Sequence, residues 1–348
     1  MVGSADGKTL WISHAGVHQV SRIDIGRVHD LLEGRIPPDL AAMKDGMREN
    51  VWVRISNDRG VIDELADDLT AMYLAGAIRR VPSGGNGPRG LALAPDGGKL
   101  YVANYFSGTV AAMDASDGKL LGCIAVGQQA PPSPARRGEI YFHVATRCFQ
   151  HWHSCFSCHL DGGRIDGLPW DFMRDGIGNG KDVISLVYMQ HTSPHNRRAT
   201  RPDPRECIRT GVTGSHFIVP QPAEVDDLLA YVESLRPEPN PNLPQFAAAA
   251  QRGKAVFEGK ANCAGCHPGP YFTDRKMHNV GILTPNEPDG RYKTPSLVEA
   301  YRTAPYYHDG RAATMKDALT KHGLGSHGSI KDLTPQEIDD LVAYVLSL

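Results

Sequence analysis

Cys155-Phe156-Ser157-Cys158-His159 is the stretch that decides how this 348-residue chain is interpreted. It has the form C-x-x-C-H, the attachment signature of a c-type haem. Two thiols separated by two residues can each bond one vinyl group of the same porphyrin, and the histidine that follows reaches the iron from one face. The same form returns 108 residues later, at Cys263-Ala264-Gly265-Cys266-His267. Two copies in one chain predict two covalently bound haem c groups.

C-x-x-C pairs also occur in zinc sites and in redox dithiols, but the sequence around these two motifs favours neither. Zinc sites usually bring a second pair within about 12–20 residues, and the pairs here are 108 residues apart. A thioredoxin-like dithiol is expected beside a βαβ pattern, which neither motif has. Three cysteines remain outside the motifs, and we interpret them as buried free thiols: Cys123, Cys148 and Cys207.

The composition excludes several classes of protein. Apolar residues make up 41% of the chain and charged residues 22%, as in an ordinary globular protein. The net charge of −2 offers no basic excess for binding nucleic acid, and no apolar stretch is long enough to predict a membrane span. The first residues do not resemble a signal peptide. Because haem c is attached outside the cytoplasm, we expect a periplasmic or otherwise exported protein whose signal peptide is missing from this chain.

Residues 1–127 predict a partial β-propeller. Residues 88–127 contain four short strand patterns separated by glycine-containing turns, enough for one blade. Residues 88–104 have the sequence P-R-G-L-A-L-A-P-D-G-G-K-L-Y-V-A-N, which resembles the repeat of YVTN-type propellers. Residues 11–24 look like part of an earlier blade. A charged, helix-prone passage at 27–48 has no evident partner. Since two blades cannot bury both faces alone, we expect a fragment or a remnant that packs on the haem domains.

After a proline-rich linker at 128–134, three landmarks occur twice in the same order. They are an Arg-Gly helix, the haem motif and a closing helix, at 137–142, 155–159 and 224–235 and again at 252–257, 263–267 and 337–348. The offsets of 115, 108 and 113 residues indicate a tandem duplication. Helix, haem motif, long loops and closing helix are the order of a class I cytochrome c. The sequence therefore predicts a mixed fold, in which the partial propeller precedes two tandem α-helical cytochrome c domains at 135–237 and 245–348.

The second copy contains a further distinctive block, Thr303-Ala304-Pro305-Tyr306-Tyr307-His308-Asp309-Gly310-Arg311. Together with both haem motifs and His278-Asn279-Val280-Gly281, it resembles the bacterial di-haem cytochrome c peroxidase superfamily, which includes the haem enzyme that matures tryptophan tryptophylquinone. The resemblance covers residues 135–348, and with the upstream blade the chain looks like the C-terminal part of a YVTN-propeller/di-haem peroxidase fusion. It implies that peroxide or a related oxidant reacts at the first haem while electrons arrive through the second.

The resemblance also implies the ligands of the two irons. His159 and His267 correspond to the proximal ligands. In the family, the distal ligand of the second haem follows the H-D-G-x block, and the matching position here is His322, with Met315 as the alternative. His308 is expected to form hydrogen bonds near this haem rather than to bind its iron.

The first haem departs from the family pattern. The loop at 175–182, where the family has a displaceable distal histidine, contains none. The first iron is therefore either five-coordinate or bound by another residue. His216 falls near the family's distal acid/base group, and His191 and His195 are further options, although a surface or core role remains open for each. Glu206 is nearest in character to the family's catalytic glutamate.

A calcium ion and a tryptophan lie between the haem domains in this family. Asp182 matches the side-chain ligand of the calcium, with the carbonyl groups of Thr303 and Pro305 opposite, a set that suits a hard cation. Asp182 could instead pair with a nearby Lys or Arg. The family's tryptophan has no counterpart, and Trp152 and Trp170 are open to a role in relaying electrons or in packing.

Two functions of different classes follow. In the first, the chain is an enzyme with an open first iron and His216 as the acid/base group, and it consumes hydrogen peroxide. In the second, it is a non-catalytic di-haem electron-transfer protein with the propeller as a docking module. Both predict an electron-donor or acceptor protein as partner, such as a small cytochrome or a cupredoxin.

Overall fold

The computed structural model describes residues 1–171, 179–323 and 326–348. They form two compact units, Met1–Pro131 and Pro132–Leu348. The boundary between the units falls within the predicted proline-rich linker. Among the described residues, no helix combines the length and the apolar character needed to cross a membrane.

The first unit is built on two four-stranded antiparallel sheets. Its strands are β1 (Val2–Gly3), β2 (Thr9–His14), β3 (Gln19–Asp24), β4 (Lys44–Asp45), β5 (Arg48–Glu49), β6 (Ile78–Pro82), β7 (Pro88–Leu93), β8 (Lys99–Asn104), β9 (Thr109–Asp114) and β10 (Leu120–Ala125). The sheet orders are β1-β2-β3-β6 and β10-β9-β8-β7, and β4 pairs with β5 in a separate hairpin. The strands predicted in 88–127 are present, but the described residues form no closed ring of blades.

Alternating burial gives this unit its core. Along β8, Leu100 and Val102 are fully buried while their neighbours face outward, as the two-residue period of a strand requires. They pack with Trp11 and Met113. On the edge strand β10, Cys123 is exposed, so the prediction that it is a buried thiol is wrong.

A helical insertion separates β3 from β6. Its helices are α1 (Ile25–Leu32), α2 (Pro38–Ala42), α3 (Val51–Asn57) and α4 (Leu69–Leu74). Trp52 is fully buried and donates from Nε1 to the carbonyl oxygen of Ala71 at 3.0 Å. The helix-prone passage at 27–48 therefore does have a partner, because later residues complete a separate hydrophobic core with it.

The second unit is mainly helical. Its elements are α5 (Pro134–His143), α6 (Cys155–Cys158), α7 (Leu160–Gly163), β11 (Pro169–Trp170), β12 (Lys181–Asp182), α8 (Pro204–Gly211), α9 (Pro222–Ser234), α10 (Leu243–Glu258), β13 (Met277–Asn279), β14 (Arg291–Lys293), α11 (Met315–Thr320) and α12 (Pro335–Ser347). Helix α5 packs across α9, and α10 packs across α12. This arrangement repeats the pairing of first and last helix that the duplication predicts.

Each helix pair crosses at a glycine. An ideal Cβ on Gly138 would lie 1.9 Å from the carbonyl oxygen of Asp227, and one on Gly253 would lie 1.8 Å from that of Asp340. No larger residue fits at this separation, so glycine is required for the close approach of the two backbones. Close packing of the two helices therefore explains why both repeats have a glycine at this position.

The arginine before each glycine holds the crossing together. Arg137 donates to the two carboxylate oxygens of Asp227 at 2.7 and 2.6 Å. Arg252 donates in the same way to Asp340 at 2.8 and 2.7 Å. Two parallel hydrogen bonds suit the planar guanidinium fork. The Arg-Gly pair in the sequence thus encodes both the approach of the helices and their orientation.

Replacing Gly253 by alanine is expected to destabilise the second helix pair. The new methyl group would collide with the Asp340 carbonyl oxygen, and relieving the overlap should lower the free energy of unfolding by about 3 kcal/mol. Urea denaturation of the full chain measures this change. Gly211→Ala on α8 is the matched control, because no atom lies within 4 Å of its ideal Cβ. Equal midpoints for Gly253→Ala and wild type would contradict the close approach.

A buried ion pair joins the two halves of the second unit. Arg164 donates to the carboxylate oxygens of Glu299 at 2.9 and 2.7 Å, and both side chains are buried. Arg164 also donates to the carbonyl oxygen of Arg236 at 3.0 Å, and Glu299 accepts from the backbone N–H of Glu238 at 2.6 Å. The pair therefore ties the loop after the first motif to the inter-repeat linker and to the second half.

Candidate haem sites

The second motif places His267 in a buried position with a defined ring orientation. Its Nδ1 lies 2.9 Å from the carbonyl oxygen of Phe272. Because a carbonyl only accepts, Nδ1 donates and Nε2 keeps the lone pair. Burial lowers the pKa of His267 to about 4, so the imidazole is neutral at pH 7, the form that binds metals. A hydrogen bond of this kind is the usual support of a metal-bound histidine.

A cavity of about 270 Å³ lies against the second motif. The two thiols of the motif and His267 line one side of it. The rest of its lining is largely apolar and includes Val280, Leu297, Tyr306, Tyr307, His308, Met315, Leu319, His327 and Ile330. Two thiols and a neutral imidazole beside an apolar wall fit a covalently attached porphyrin.

The ring of His327, rather than that of His322, lies near the ring of His267 in this cavity. The centroids of the His267 and His327 rings are 6.5 Å apart, with an angle of 55° between the ring planes. The ring of His322 instead meets Tyr307 edge-on at 6.0 Å. Met315 lines the cavity but packs into the hydrophobic core of the second half. The structure therefore does not bring the predicted ligand His322 to the face of His267.

His308 is buried beside the same cavity. Its ring stacks on Tyr292 with centroids 4.1 Å apart, and its Nε2 lies 3.1 Å from the Tyr292 hydroxyl oxygen. The structure thus places His308 where the sequence analysis expects a hydrogen-bonding residue.

The first motif lies on the short helix α6. Its histidine, His159, packs near the fully buried Phe142, with ring centroids 6.4 Å apart. Burial lowers the pKa of His159 to about 4, which again leaves a neutral imidazole. Unlike the Nδ1 of His267, its Nδ1 is buried without a hydrogen-bond partner among the described residues. The motif fits haem attachment. Within the described part of the chain, its histidine lacks the Nδ1 hydrogen bond that orients His267 at the second motif.

Two further histidines lie at the first motif. His216 is buried, and its Nε2 lies 3.8 Å from the Sγ of Cys155. Burial lowers the pKa of His216 to about 4. The ring of His153 meets it edge-on at 4.9 Å, and Nδ1 of His153 lies 3.7 Å from the Sγ of Cys148. Sequence reasoning missed His153, although its position two residues before the motif was a usable signal.

Three other predicted candidates have partners elsewhere. Glu206 lies on α8, and its two carboxylate oxygens accept hydrogen bonds from the exposed Arg209 at 2.8 and 2.7 Å. His195 is hydrogen-bonded to a neighbouring serine at 3.1 Å, and His191 stacks on Tyr271 at 4.6 Å. Each has a partner other than the first motif, and their assignment to the first site stays a prediction. The loop searched for a distal histidine lies partly outside the described residues, at 175–178.

An aromatic cluster joins the two halves next to the second motif. Tyr271, which follows that motif, is stacked on His191 and meets Tyr188 edge-on at 5.3 Å. Of the two tryptophans predicted near the first haem, Trp170 packs in a small core beside the first motif, whereas Trp152 is 71% exposed. The sequence does not predict this cluster, because Tyr271 comes from the other repeat.

Comparison with known proteins identifies relatives of the part of the chain that carries the two motifs. Residues 250–348 match the cytochrome c family. Hydrazine synthase subunit gamma of Kuenenia stuttgartiensis is 27% identical over 273 residues, which cover 61% of this chain and 77% of that protein. Cytochrome-c peroxidase IdrP1 of Denitromonas iodatirespirans is 30% identical over 155 residues, 30% of this chain and 41% of the peroxidase. These relatives indicate an oxidoreductase, whose C-terminal part is similar to members of the cytochrome c peroxidase superfamily.

The fold of this oxidoreductase is also found in a solved structure. Hydrazine synthase of Kuenenia stuttgartiensis, determined under xenon pressure, superimposes with a TM-score of 0.56 and 24% sequence identity. The match covers 64% of this chain and 90% of that one. These comparisons support the predicted haem-binding part. They do not show a fusion to a YVTN propeller, which stays a prediction.

The predicted calcium ligands of the oxidoreductase line a cavity of about 100 Å³, but so do two cationic side chains. Asp182, Thr303 and Pro305 share this cavity with Arg197 and Lys293. Arg197 donates from Nη2 to the backbone carbonyl oxygen and to Oδ2 of Asp182 at 3.1 and 3.4 Å. Burial raises the pKa of Asp182 to about 7, and its Oδ1 has no hydrogen-bond partner among the described residues. One weakly charged carboxylate beside two cationic side chains does not fit a divalent ion.

Removing calcium is therefore expected to leave the protein unchanged. Because Arg197 already supplies a positive charge to Asp182, EGTA should alter neither the thermal unfolding midpoint nor the visible spectrum. Calorimetry with and without EGTA, together with elemental analysis, measures this. Arg197→Met is the comparison variant, and it should lower the midpoint because it leaves Asp182 buried without its partner. One tightly bound calcium ion per chain would contradict the expectation.

Proposed function

We propose that the chain is a di-haem c-type oxidoreductase in which hydrogen peroxide or a related oxidant reacts at the first haem and electrons arrive through the second. The observation that carries the proposal is the difference between two duplicated sites. At the second, His267 and His327 line the same cavity with their ring centroids 6.5 Å apart. At the first, the buried His216 contacts the Sγ of Cys155 and the ring of His153. In this proposal the second haem would have a protein ligand on both faces, whereas the first would have one on a single face. The other face of the first haem would then be open to a small molecule.

His216 is proposed as the group that accepts and returns a proton at the first site. Its Nε2 is 3.8 Å from a thiol that would bond the porphyrin, so His216 would be close to an attached haem. His153 packs edge-on against the ring and limits its rotation. A bound haem supplies the redox chemistry, and these histidines supply orientation and proton handling. General acid–base groups typically contribute about 10²–10⁴-fold to a rate.

Electrons are proposed to enter at the second haem from a small carrier protein, such as a cytochrome or a cupredoxin. The cluster of Tyr188, His191 and Tyr271 connects the first half of the unit with the residues that follow the second motif. It is proposed as the route between the two sites. Because haem c is attached outside the cytoplasm, the proposed location is the periplasm.

Steady-state peroxide consumption with a reduced small cytochrome tests the proposal. The wild-type protein should consume peroxide, and its ferric electron paramagnetic resonance spectrum should show one high-spin and one low-spin iron. His216→Gln should lower kcat/KM about 10²–10⁴-fold without changing the haem content. His151→Asn, at an exposed histidine near the same motif, is the control. Two low-spin irons that persist after one-electron reduction, with no peroxide consumption, would instead support the electron-transfer function.

A further inference from the structure

We infer that His327 is the distal axial ligand of the haem held by the second motif, and that Tyr307 positions it. The inference rests on the haem attachment proposed above and assigns a residue that lies five positions beyond the one expected from the family pattern. Three observations support it. They are the separation of the His267 and His327 rings, the hydrogen bonds of their Nδ1 atoms and the close packing of Gly323 against His327.

The separation of the two rings suits one metal ion between them. Their centroids are 6.5 Å apart. Metal–imidazole bonds are about 2.0–2.1 Å long, so two ring centres on opposite sides of one ion lie about 6 Å apart. His267 and His327 also line the same cavity, with the thiols of Cys263 and Cys266 at its edge. A porphyrin attached to these thiols would therefore have His267 and His327 available to bind its iron.

The hydrogen bonds of both rings leave Nε2 as the metal-binding nitrogen. His267 donates from Nδ1 to the Phe272 carbonyl oxygen. Nδ1 of His327 lies 3.0 Å from the hydroxyl oxygen of Tyr307. That hydroxyl donates its own proton to the carbonyl oxygen of Ala318 at 2.6 Å, so it accepts from His327. Both histidines thus have the tautomer and the outer hydrogen bond typical of metal ligands.

The backbone before His327 is built to bring this residue to the cavity. Gly323 has φ +63°, and an ideal Cβ there would lie 2.7 Å from the carbonyl oxygen of Val280 and 3.0 Å from the Cβ of His327. The backbone N–H of His327 donates to the carbonyl oxygen of Gly323 at 2.9 Å. Only glycine combines this backbone conformation with such close neighbours. The contacts of Gly323 with Val280 and His327 therefore hold His327 in place, whereas the ring of His322 packs on Tyr307.

The internal repeat also distinguishes His327. It follows His216 by 111 residues, within the 108–115 range of the other repeated landmarks. The two histidines thus occupy equivalent places before the closing helices. At the first motif, His216 contacts Cys155 and His153. At the second motif, His327 lies near the proximal histidine, His267. The second iron is consequently the six-coordinate one.

Substitution of His327 in the full two-haem protein tests the ligand. The ferric wild type should show the low-spin resonance of a bis-imidazole haem. His327→Met should replace that signal with the absorption band of a thioether–iron bond and shift the midpoint potential of this haem upward, as methionine ligation does. His322→Met is the matched control and should leave spectrum and potential unchanged. Tyr307→Phe should keep the low-spin state but shift the potential, which a purely structural tyrosine would not do.

Two measurements separate the possible failures. A pyridine haemochrome assay counts the bound haems. If the wild type carries no haem at the second motif, both the proposed function and this inference are wrong. If haem is present but His327→Met leaves its spectrum unchanged, or His322→Met alters it, only the inference is overturned. Should His327→Met fold poorly, His327→Gly must lose the low-spin signal and regain it with added imidazole, and failure to do so rejects the ligand.

Discussion

The double variant Cys155→Ala/Cys158→Ala is expected to carry one haem per chain instead of two and to lose peroxide turnover. These are the thiols of the first motif, and without them no covalent bond holds a porphyrin beside His159 and His216. We expect kcat/KM for peroxide to fall more than about 100-fold, equivalent to at least about 2.7 kcal/mol of transition-state stabilisation. The pyridine haemochrome assay measures the haem content, and peroxide consumption with a reduced cytochrome measures the activity.

Two comparison variants make this result specific. Cys207→Ala removes a thiol that lies outside the motifs and should keep both haems and the activity. Cys263→Ala/Cys266→Ala should also leave one haem, but the low-spin signal should be the one that is lost. Undiminished peroxide turnover after the loss of the first haem would show that the reacting site is the second one.

Glu299→Gln is expected to cause the largest loss of stability. It removes the charge that balances Arg164 while keeping the shape of the side chain. Glu299 is 0% exposed and Arg164 is 5% exposed, so water cannot replace the lost partner. Breaking a buried pair on one side costs about 3–5 kcal/mol. Thermal and urea denaturation should therefore show a clearly lower free energy of unfolding for the second unit.

A surface pair provides the control. Lys316 and Asp339 are 2.6 Å apart, but both side chains are more than half exposed. Asp339→Asn should cost less than about 1 kcal/mol. The double variant Arg164→Met/Glu299→Leu removes both charges and should regain much of the stability that Glu299→Gln loses. If Glu299→Gln and Asp339→Asn are equally stable, the buried pair does not hold the two halves together.

The sequence by itself determined the features whose chemistry is local. The spacing within each C-x-x-C-H motif is enough to indicate haem attachment, because the two thiols and the histidine must reach one porphyrin. The repeated landmarks identified the two helix pairs. In each pair a glycine, Gly138 or Gly253, lets the two helix backbones approach. The arginine before it binds the aspartate of the closing helix. Strand alternation in residues 88–127 likewise follows from a two-residue period.

The tertiary structure alone decided which distant residues meet. Arg164 and Glu299 are 135 residues apart, and Tyr271 meets His191 from the other repeat. His327 was missed because the loop before it has no periodic pattern, and only the packing around Gly323 shows which histidine lies near His267. Such contacts depend on how the loops between the helices pack, and that packing is set by the whole core rather than by neighbours in sequence. This is why the haem attachment could be predicted from the sequence, whereas the opposite face of each haem could not.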